Sequence, residues 1–357
     1  MPLYAKTASL LHAEIYQQPE LWPLTAAKAQ QFAAQSPPIS ATHTVVFTGA
    51  GTSAYAAAAI AAAWAGMVAI PTTDLLTETA PFGSGGTLIS LARSGDSPES
   101  AAVVERVQRE FPQVRQLAIT CNGNGRLAHT RGVEVLVLDP RTNDRSLAMT
   151  GSFSNLVLAG LCLLHPASLS HQVDALSSSC AALLASWDAR ARRIAQILPN
   201  RVFVLASPPL FPAAREAALK ITELSNGEIV AMAETYLGLR HGPMAALRRD
   251  SLVLCFLSSS RTRRQYEDDL LHELRTKRLG RVIAIAGANS PELFDEHIPA
   301  AAPHLADIHR TPFEVIFPQL LAFHLSGACG VNPDRPSPAD VISRVVQGVT
   351  IYPDAEI

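Results

Sequence analysis

The feature that most constrains this chain is its pattern of strands. Short apolar runs rich in β-branched residues, TVVF at 44–47, MVAI at 67–70, TLISLA at 87–92, VRQLAIT at 114–120 and VEVLVLD at 133–139, alternate with Ala- and Leu-rich stretches of helical length. The runs do not alternate apolar with polar residues as a strand with one wet face would, so each is expected to be covered on both faces. Such strands, separated by segments long enough for a helix, read as βαβ crossovers building a parallel sheet. The pattern then repeats. After a helical interval from about Ser152 to Gln196 come RVFVLAS at 201–207, EIVAMA at 228–233, SLVLCFL at 251–257 and RVIAIAG at 281–287. Each set places a small-residue turn directly after its first strand, TGAGTSA in one and ASPPLFPA in the other. Two similar α/β halves with a boundary near 185–200 fit better than one continuous sheet.

Ahead of the strands, Leu10, Leu11, Ile15, Leu21 and Leu24 mark one or two amphipathic helices ending near Ser36 to Pro38. A length of 357 residues fits two domains or one large one. The expected division is a helical segment over 1–38, α/β domains over 39–190 and 191–335, and a tail over 336–357. Only 17% of residues are charged and 48% are hydrophobic, against a usual charged share of about 25%. So little charge implies a large core and a subunit interface. A net charge of −2 creates no general field for nucleic acid or an anionic membrane. No apolar run reaches the roughly 18 residues that span a bilayer, and the N-terminal stretch lacks a signal-peptide core. Cys121, Cys162, Cys180, Cys255 and Cys329 are scattered, odd in number and never in CxxC spacing. They read as reduced thiols of a cytoplasmic protein, with no zinc site and no disulfide framework.

Three stretches can carry chemistry. In the first, Thr48-Gly49-Ala50-Gly51-Thr52-Ser53 joins a buried strand to an Ala-rich helix. Its glycines let backbone approach a ligand, and the Thr52 and Ser53 hydroxyls stand beside the first free N–H groups of the helix, an anion-binding arrangement. A dinucleotide loop fits less well, because the third glycine of GxGxxG is missing. A plain capped turn remains an alternative for this segment taken alone. The second stretch, Arg93 to Glu99, repeats the arrangement: Ser94 and Ser97 bracket Gly95 ahead of a helix opened by Pro98 and Glu99. Two hydroxyl-rich turns at the C-terminal ends of strands in one parallel sheet suit a phosphate monoester, with Arg93 adding charge.

The third stretch runs from Glu216 to Pro243. On a helix Glu216, Lys220 and Glu223 fall at i, i+4 and i+7, on one face. A solvated Glu–Lys–Glu stripe, stabilising by about 0.3–0.5 kcal/mol per pair, is the competing reading. Further on, His241 sits on the turn Arg240-His241-Gly242-Pro243. A carboxylate and an imidazole together supply a base for a carbon-bound proton and an acid/base for sugar oxygens.

At this point the sequence resembles a known family. GAGTSA, SLARSGDSPES, LAITCN, the pair EAALK and RHGP, the stretch NDRSLAMT followed by SFSN, and NPDRPSPADVISRVVQGVTIYP look like the sugar isomerase (SIS) family, specifically its AgaS branch. Members of that branch are described as galactosamine-6-phosphate deaminase/isomerases or tagatose-6-phosphate ketose/aldose isomerases. The resemblance runs from about residue 5 to 353. It implies two flavodoxin-like subdomains, each a parallel sheet with helices on both faces, plus the N-terminal helices and a C-terminal tail over the active site. It also implies a phosphosugar site built from Gly51, Thr52, Ser53, Arg93, Ser94, Ser97, Thr120, Asn122, Lys220 and Gln347. Glu223 would move a proton between C1 and C2. His241 would open the sugar ring, reaching the site from the neighbouring subunit of a homodimer or higher homo-oligomer.

Two positions depart from the related isomerase half of glucosamine-6-phosphate synthase. Ala92 stands where that half has a phosphate-binding serine. Gln347 stands where it has the tail lysine that forms a Schiff base, and this chain has no lysine beyond Lys277. The expected reaction is therefore deamination with isomerisation of a 6-phosphorylated amino-hexose, whose own nitrogen replaces the missing lysine, with no metal and no other cofactor. A non-deaminating aldose/ketose phosphate isomerase and a non-catalytic phosphosugar sensor are the alternatives.

Overall fold

The computed structural model of the protein describes residues 9–40, 42–83, 85–164, 169–285, 291–339 and 341–352. Strands β1 (Thr44–Thr48), β2 (Met67–Ala69), β3 (Gly86–Ala92), β4 (Val114–Thr120) and β5 (Glu134–Val137) form one sheet, all parallel, in the order β2-β1-β3-β4-β5. Strands β6 (Arg201–Ala206), β7 (Val230–Glu234), β8 (Leu252–Phe256), β9 (Arg281–Ile285) and β10 (Glu296–Ile298) form the other, again all parallel, in the order β10-β9-β8-β6-β7. Counted from its own first strand, each sheet runs 2-1-3-4-5, the flavodoxin-like order. The connections leaving the first and third strands of such a sheet depart in opposite directions and open a crevice at the strand C-terminal ends. The protein therefore has two topologically equivalent crevices, one per half.

The helices are α1 (Leu10–Tyr16), α2 (Gln18–Gln35), α3 (Thr52–Ala61), α4 (Thr72–Leu75), α5 (Pro98–Glu110), α6 (Gly151–Leu164), α7 (Val173–Ala195), α8 (Phe211–Leu224), α9 (Tyr236–Leu239), α10 (Arg261–Lys277), α11 (Asp307–Glu314) and α12 (Ile316–Ala328). One continuous core joins the inner faces of both sheets, taking Phe47, Ile89, Val204 and Phe256 together with residues of α6, α7 and α12. Helix α3 of the first half packs on α8 of the second, α12 packs on α7 and α8, and α2 lies against α6. Separate apolar clusters cover the outer faces. Among the described residues no helix is long and apolar enough to cross a membrane.

The strands differ from expectation at their ends. The run at 133–139 is trimmed to Glu134–Val137, and Asp139 instead caps a short 3-10 turn by accepting from the Arg141 N–H. The run at 228–233 begins pairing only at Val230, because Ser225 accepts the Ile229 N–H in the preceding turn. Strand β10 was not expected. Its three residues EHI carry two polar side chains and no apolar run. Residues 286 and 287 of the expected strand at 281–287 lie outside the described residues. The long helical interval is two helices, α6 and α7.

Candidate active site

The crevice of the first half holds a cavity of about 260 Å³, close to the lower end of the roughly 300–1,000 Å³ usual for small-molecule sites. Its floor is the turn between β1 and α3. A Cβ on Gly49 would lie 2.6 Å from the backbone and side chain of Ser53, so only glycine lets the helix start this close to the strand. Gly51 takes a positive φ of 56° immediately before α3, presenting Thr52 and Ser53 at the helix N-terminus. Both hydroxyl residues are 5% exposed and line the cavity. The second wall is the turn after β3, where Arg93, Ser94, Gly95 and Ser97 line the same space and α5 starts. The Ser94 hydroxyl accepts the Asp96 N–H at 3.2 Å and the Ser97 hydroxyl donates to Glu99 at 2.5 Å. The two helix N-termini thus converge, with their hydroxyls, on one cavity, an arrangement suited to an anion.

From the other half, α8 brings its acidic–basic–acidic face to the same cavity, which Lys220 and Glu223 line. The solvated-stripe reading fails: Glu216 is fully buried and Lys220 is 1% exposed. Lys220 Nζ lies 3.5 Å from Glu216 and donates a hydrogen bond to Glu223. Burial disfavours the Lys220 cation, but the charges of Glu216 and Glu223 and the bond to Glu223 outweigh it and raise its pKa. Burial, with the charge of Glu223 adding to it, pushes the Glu216 carboxyl up to about 8. Lys220 and the Thr52 hydroxyl pull in the opposite direction. The lysine is thus a fixed cation and a poor nucleophile, and Glu223 is the carboxylate that reaches the cavity.

The tail supplies the lid. Ile342, Ser343, Arg344, Val345 and Val346 line the cavity. Arg93, 7% exposed, donates through Nη1 to Leu147 O at 2.8 Å and Ser146 O at 3.4 Å, and through Nη2 to the carbonyl of Arg344. Arg344 reaches back, donating to Asp144 O from Nε at 2.8 Å and from Nη2 to Asn143 Oδ1 at 2.6 Å. The segment 143–150 that anchors them is rigid: Asp144 accepts the N–H groups of Thr150 and Ser152 at 2.8 Å, capping α6, while Glu14 of α1 accepts the N–H groups of Arg145 and Ser146 at 2.6 and 3.2 Å.

Of the residues singled out in the sequence, Gly51, Thr52, Ser53, Arg93, Ser94, Ser97, Lys220 and Glu223 all line this cavity. Ala92 lines it too. Thr120 and Asn122 do not; they brace the second turn from behind. The Asn122 side chain donates to Ser94 O at 2.9 Å and the Thr120 hydroxyl accepts the Asn122 N–H at 3.2 Å. Gln347 is exposed, one residue beyond the lining tail segment. His241 is exposed on the turn after α9, held by Arg240 to Glu273 at 2.7 Å and Asp269 at 2.9 Å, and it does not line its own chain's cavity. Sequence reasoning missed Glu216 as a buried acid, and Met149 and Arg344 as lining groups.

The equivalent crevice of the second half is closed by the protein's own anions. It too has a serine-rich turn, Ser258-Ser259-Ser260, between β8 and α10, and Ser207 after β6. Glu267 accepts from Ser207 Oγ at 2.7 Å and Ser258 N at 2.8 Å, and Asp307 accepts from Ser258 Oγ and from both N and Oγ of Ser259 at 2.8 Å. Arg310 bridges Asp307 at 2.6 Å and Glu314 at 2.7 Å.

No family model matches the chain. It is 35% identical over 332 residues to a D-galactosamine-6-phosphate deaminase AgaS from Escherichia coli O157:H7, covering 87% of this chain and 85% of that protein. It is 34% identical over 361 residues to the protein of the same name from a Shewanella species, covering 95% and 91%. A solved structure, described as tagatose-6-phosphate ketose/aldose isomerase from Escherichia coli, superposes with a TM-score of 0.83 at 31% identity, covering the whole of both chains.

Proposed function

The chain belongs to the AgaS branch of the sugar isomerase family, and on that footing we propose that it converts D-galactosamine 6-phosphate and water to D-tagatose 6-phosphate and ammonium. The observation that carries the proposal is the meeting, in one cavity, of two hydroxyl-rich helix N-termini from one half with the Lys220–Glu223 pair from the other.

The phosphate docks on the Thr52–Ser53 and Ser94–Ser97 turns, which hold C1 and C2 towards Glu223. With the ring open, Glu223 takes the proton from C2 and delivers it to C1, passing through an enolamine. The Lys220 ammonium, paired with the Glu223 carboxylate, stabilises negative charge on the C1 oxygen as it develops. The resulting C2 ketimine adds water, the C–N bond breaks and ammonia leaves. No protein lysine forms the imine: its nitrogen is the substrate's own. A positioned acid–base group of this kind contributes about 10²–10⁴-fold, and orientation by the phosphate adds to it.

Ring opening is assigned to His241 of a neighbouring copy. Its exposure, its absence from its own chain's cavity lining, and the exposed apolar side chains of Val230, Met232 and Leu237 near the same edge of the second sheet support a homodimer in which it crosses over. Free thiols at Cys121, Cys162, Cys180, Cys255 and Cys329 support a reducing, cytoplasmic setting. Ammonia release across a panel of hexosamine 6-phosphates tests the reaction. Ketose formation without ammonium would establish the plain isomerase instead. For the shared site, mixing Glu223→Gln with His241→Asn protein should restore activity that neither has alone. Failure to do so would place His241 in cis or outside the mechanism.

A further inference from the structure

The tail from 341 to 352 has neither helix nor strand, and Val341, Ile342, Val346, Ile351 and Tyr352 expose apolar side chains. Burial of these groups therefore does not hold it in place. Among the described residues, its hydrogen bonds to the α/β body all run through Arg344: the carbonyl receives Arg93, and the guanidinium grips Asn143 Oδ1 and Asp144 O. Both arginines line the cavity. All their hydrogen-bond partners are carbonyl or amide oxygens, with no carboxylate among them. Arg93 is nearly buried, and after burial itself the charge of Arg344 is what most depresses its pKa. Asp144 and Glu223 act on Arg93 only through their charge, without a direct ion pair, and two cations held near each other with so little compensation are costly at low dielectric. A phosphate dianion on the Ser94 turn removes that cost, and it does so only while the tail stays closed.

We propose that Arg344 is a positioning residue for the substrate phosphate: the bound dianion draws the Arg344 strap shut over the cavity, and Arg93 fixes the strap's register against the phosphate turn. A ligand shifts a conformational equilibrium only by its differential affinity for the two states. Here that difference is the charge-assisted contact available in the closed state alone. The inference rests on the phosphosugar reading of the cavity and goes beyond it by making phosphate recognition and tail closure one event.

The test compares wild type with Arg344→Ala and Arg344→Lys. The alanine variant is expected to raise KM for galactosamine 6-phosphate by about 10–100-fold, the scale of a hydrogen bond to a charged group, with kcat little changed. Lysine keeps the charge but lacks the fork that spans Asn143 and Asp144, so it should recover only part of the loss. Thermolysin nicking ahead of Val341, Ile342 or Val346, read by mass, gives a turnover-independent measure. Inorganic phosphate should slow nicking of wild type and leave the alanine variant unprotected, the two proteins sharing one thermal midpoint without phosphate. A wild-type KM in the alanine variant, or equal protection of the two proteins, overturns the proposal. If the alanine variant does not fold, the lysine variant decides: full recovery of both readouts removes any role for the fork. Absence of ammonia release by wild type would sink the reaction proposed above, whereas phosphate-dependent protection that needs Arg344 would still stand.

Discussion

The two halves fold the same way and use the same crevice differently. Each sheet runs 2-1-3-4-5, and each places a serine-rich turn after its third strand. In the first half those hydroxyls and helix N-termini face an open cavity. In the second, Glu267 and Asp307 occupy the corresponding donors, and Arg310 neutralises the charge they bring. Burial works against the Asp307 carboxylate, but hydrogen bonds from Ser258 and Ser259 and the charge of Arg310 outweigh it and hold its pKa below the usual range. A crevice at a topological switch point is thus an anion site by construction, and what separates a binding site from a structural joint is whether the chain supplies the anion itself.

Substitutions that act on one crevice and spare the other test this contrast. The largest effect is expected from Glu223→Gln, which should cut kcat for ammonia release by about 10²–10⁴-fold while leaving phosphate affinity intact. Near-normal turnover would remove Glu223 as the base. On the closed side, Asp307→Ala leaves the serine donors buried without their anion and Arg310 with Glu314 alone, and denaturant unfolding should show a loss of about 3–5 kcal/mol. KM should stay where it was. A rise in KM to match the stability loss would mean that the second crevice belongs to the active site after all.

Glu216 lies between the halves and yields a pH signature. The folded protein keeps its proton up to about pH 8, while the unfolded chain loses it near 4.5. Unfolding therefore releases a proton between those values, so the stability due to this group is full below about 4.5 and drains away at about 1.4 kcal/mol per pH unit as pH rises towards 8. Glu216→Gln should flatten this slope, gaining on wild type from pH 5 to pH 8 in urea midpoints. Parallel profiles would show that Glu216 is ionised in the fold. The smallest effect belongs to Thr52→Val, which deletes one of the donors proposed for the phosphate and should cost about 1.5–3 kcal/mol of substrate binding, read as KM. The matching change in the second crevice, Ser259→Ala, should leave KM untouched.

Much of this was legible in the sequence, for physical reasons. Unbroken apolar runs announced two-faced burial, and the inner strands followed, whereas β2 and β7, each at a sheet edge with a neighbour on one side only, are partly exposed. Gly49 and Gly51 announced a close turn because a side chain there would collide or be strained. What stayed hidden depends on partners far along the chain. The spacing of Glu216, Lys220 and Glu223 fits a wet stripe as well as a buried triad, and only the packing of α8 on α3 decides between them. The Ser258–Ser260 turn looks as inviting as Ser94–Ser97 until Asp307, 48 residues beyond Ser259, is seen to fill it. Arg344 gave no local signal, since its role comes from carbonyls 200 residues earlier.

Helix α8 has a consequence for how this chain can be taken apart. It is the first helix of the second sheet by connectivity, yet its working face completes the first sheet's cavity. A cut between α7 and β6 would therefore yield one fragment with the Thr52–Ser53 and Ser94–Ser97 turns and no Glu223, and another with Glu223 and no turns to face it. Neither piece alone would hold a complete cavity.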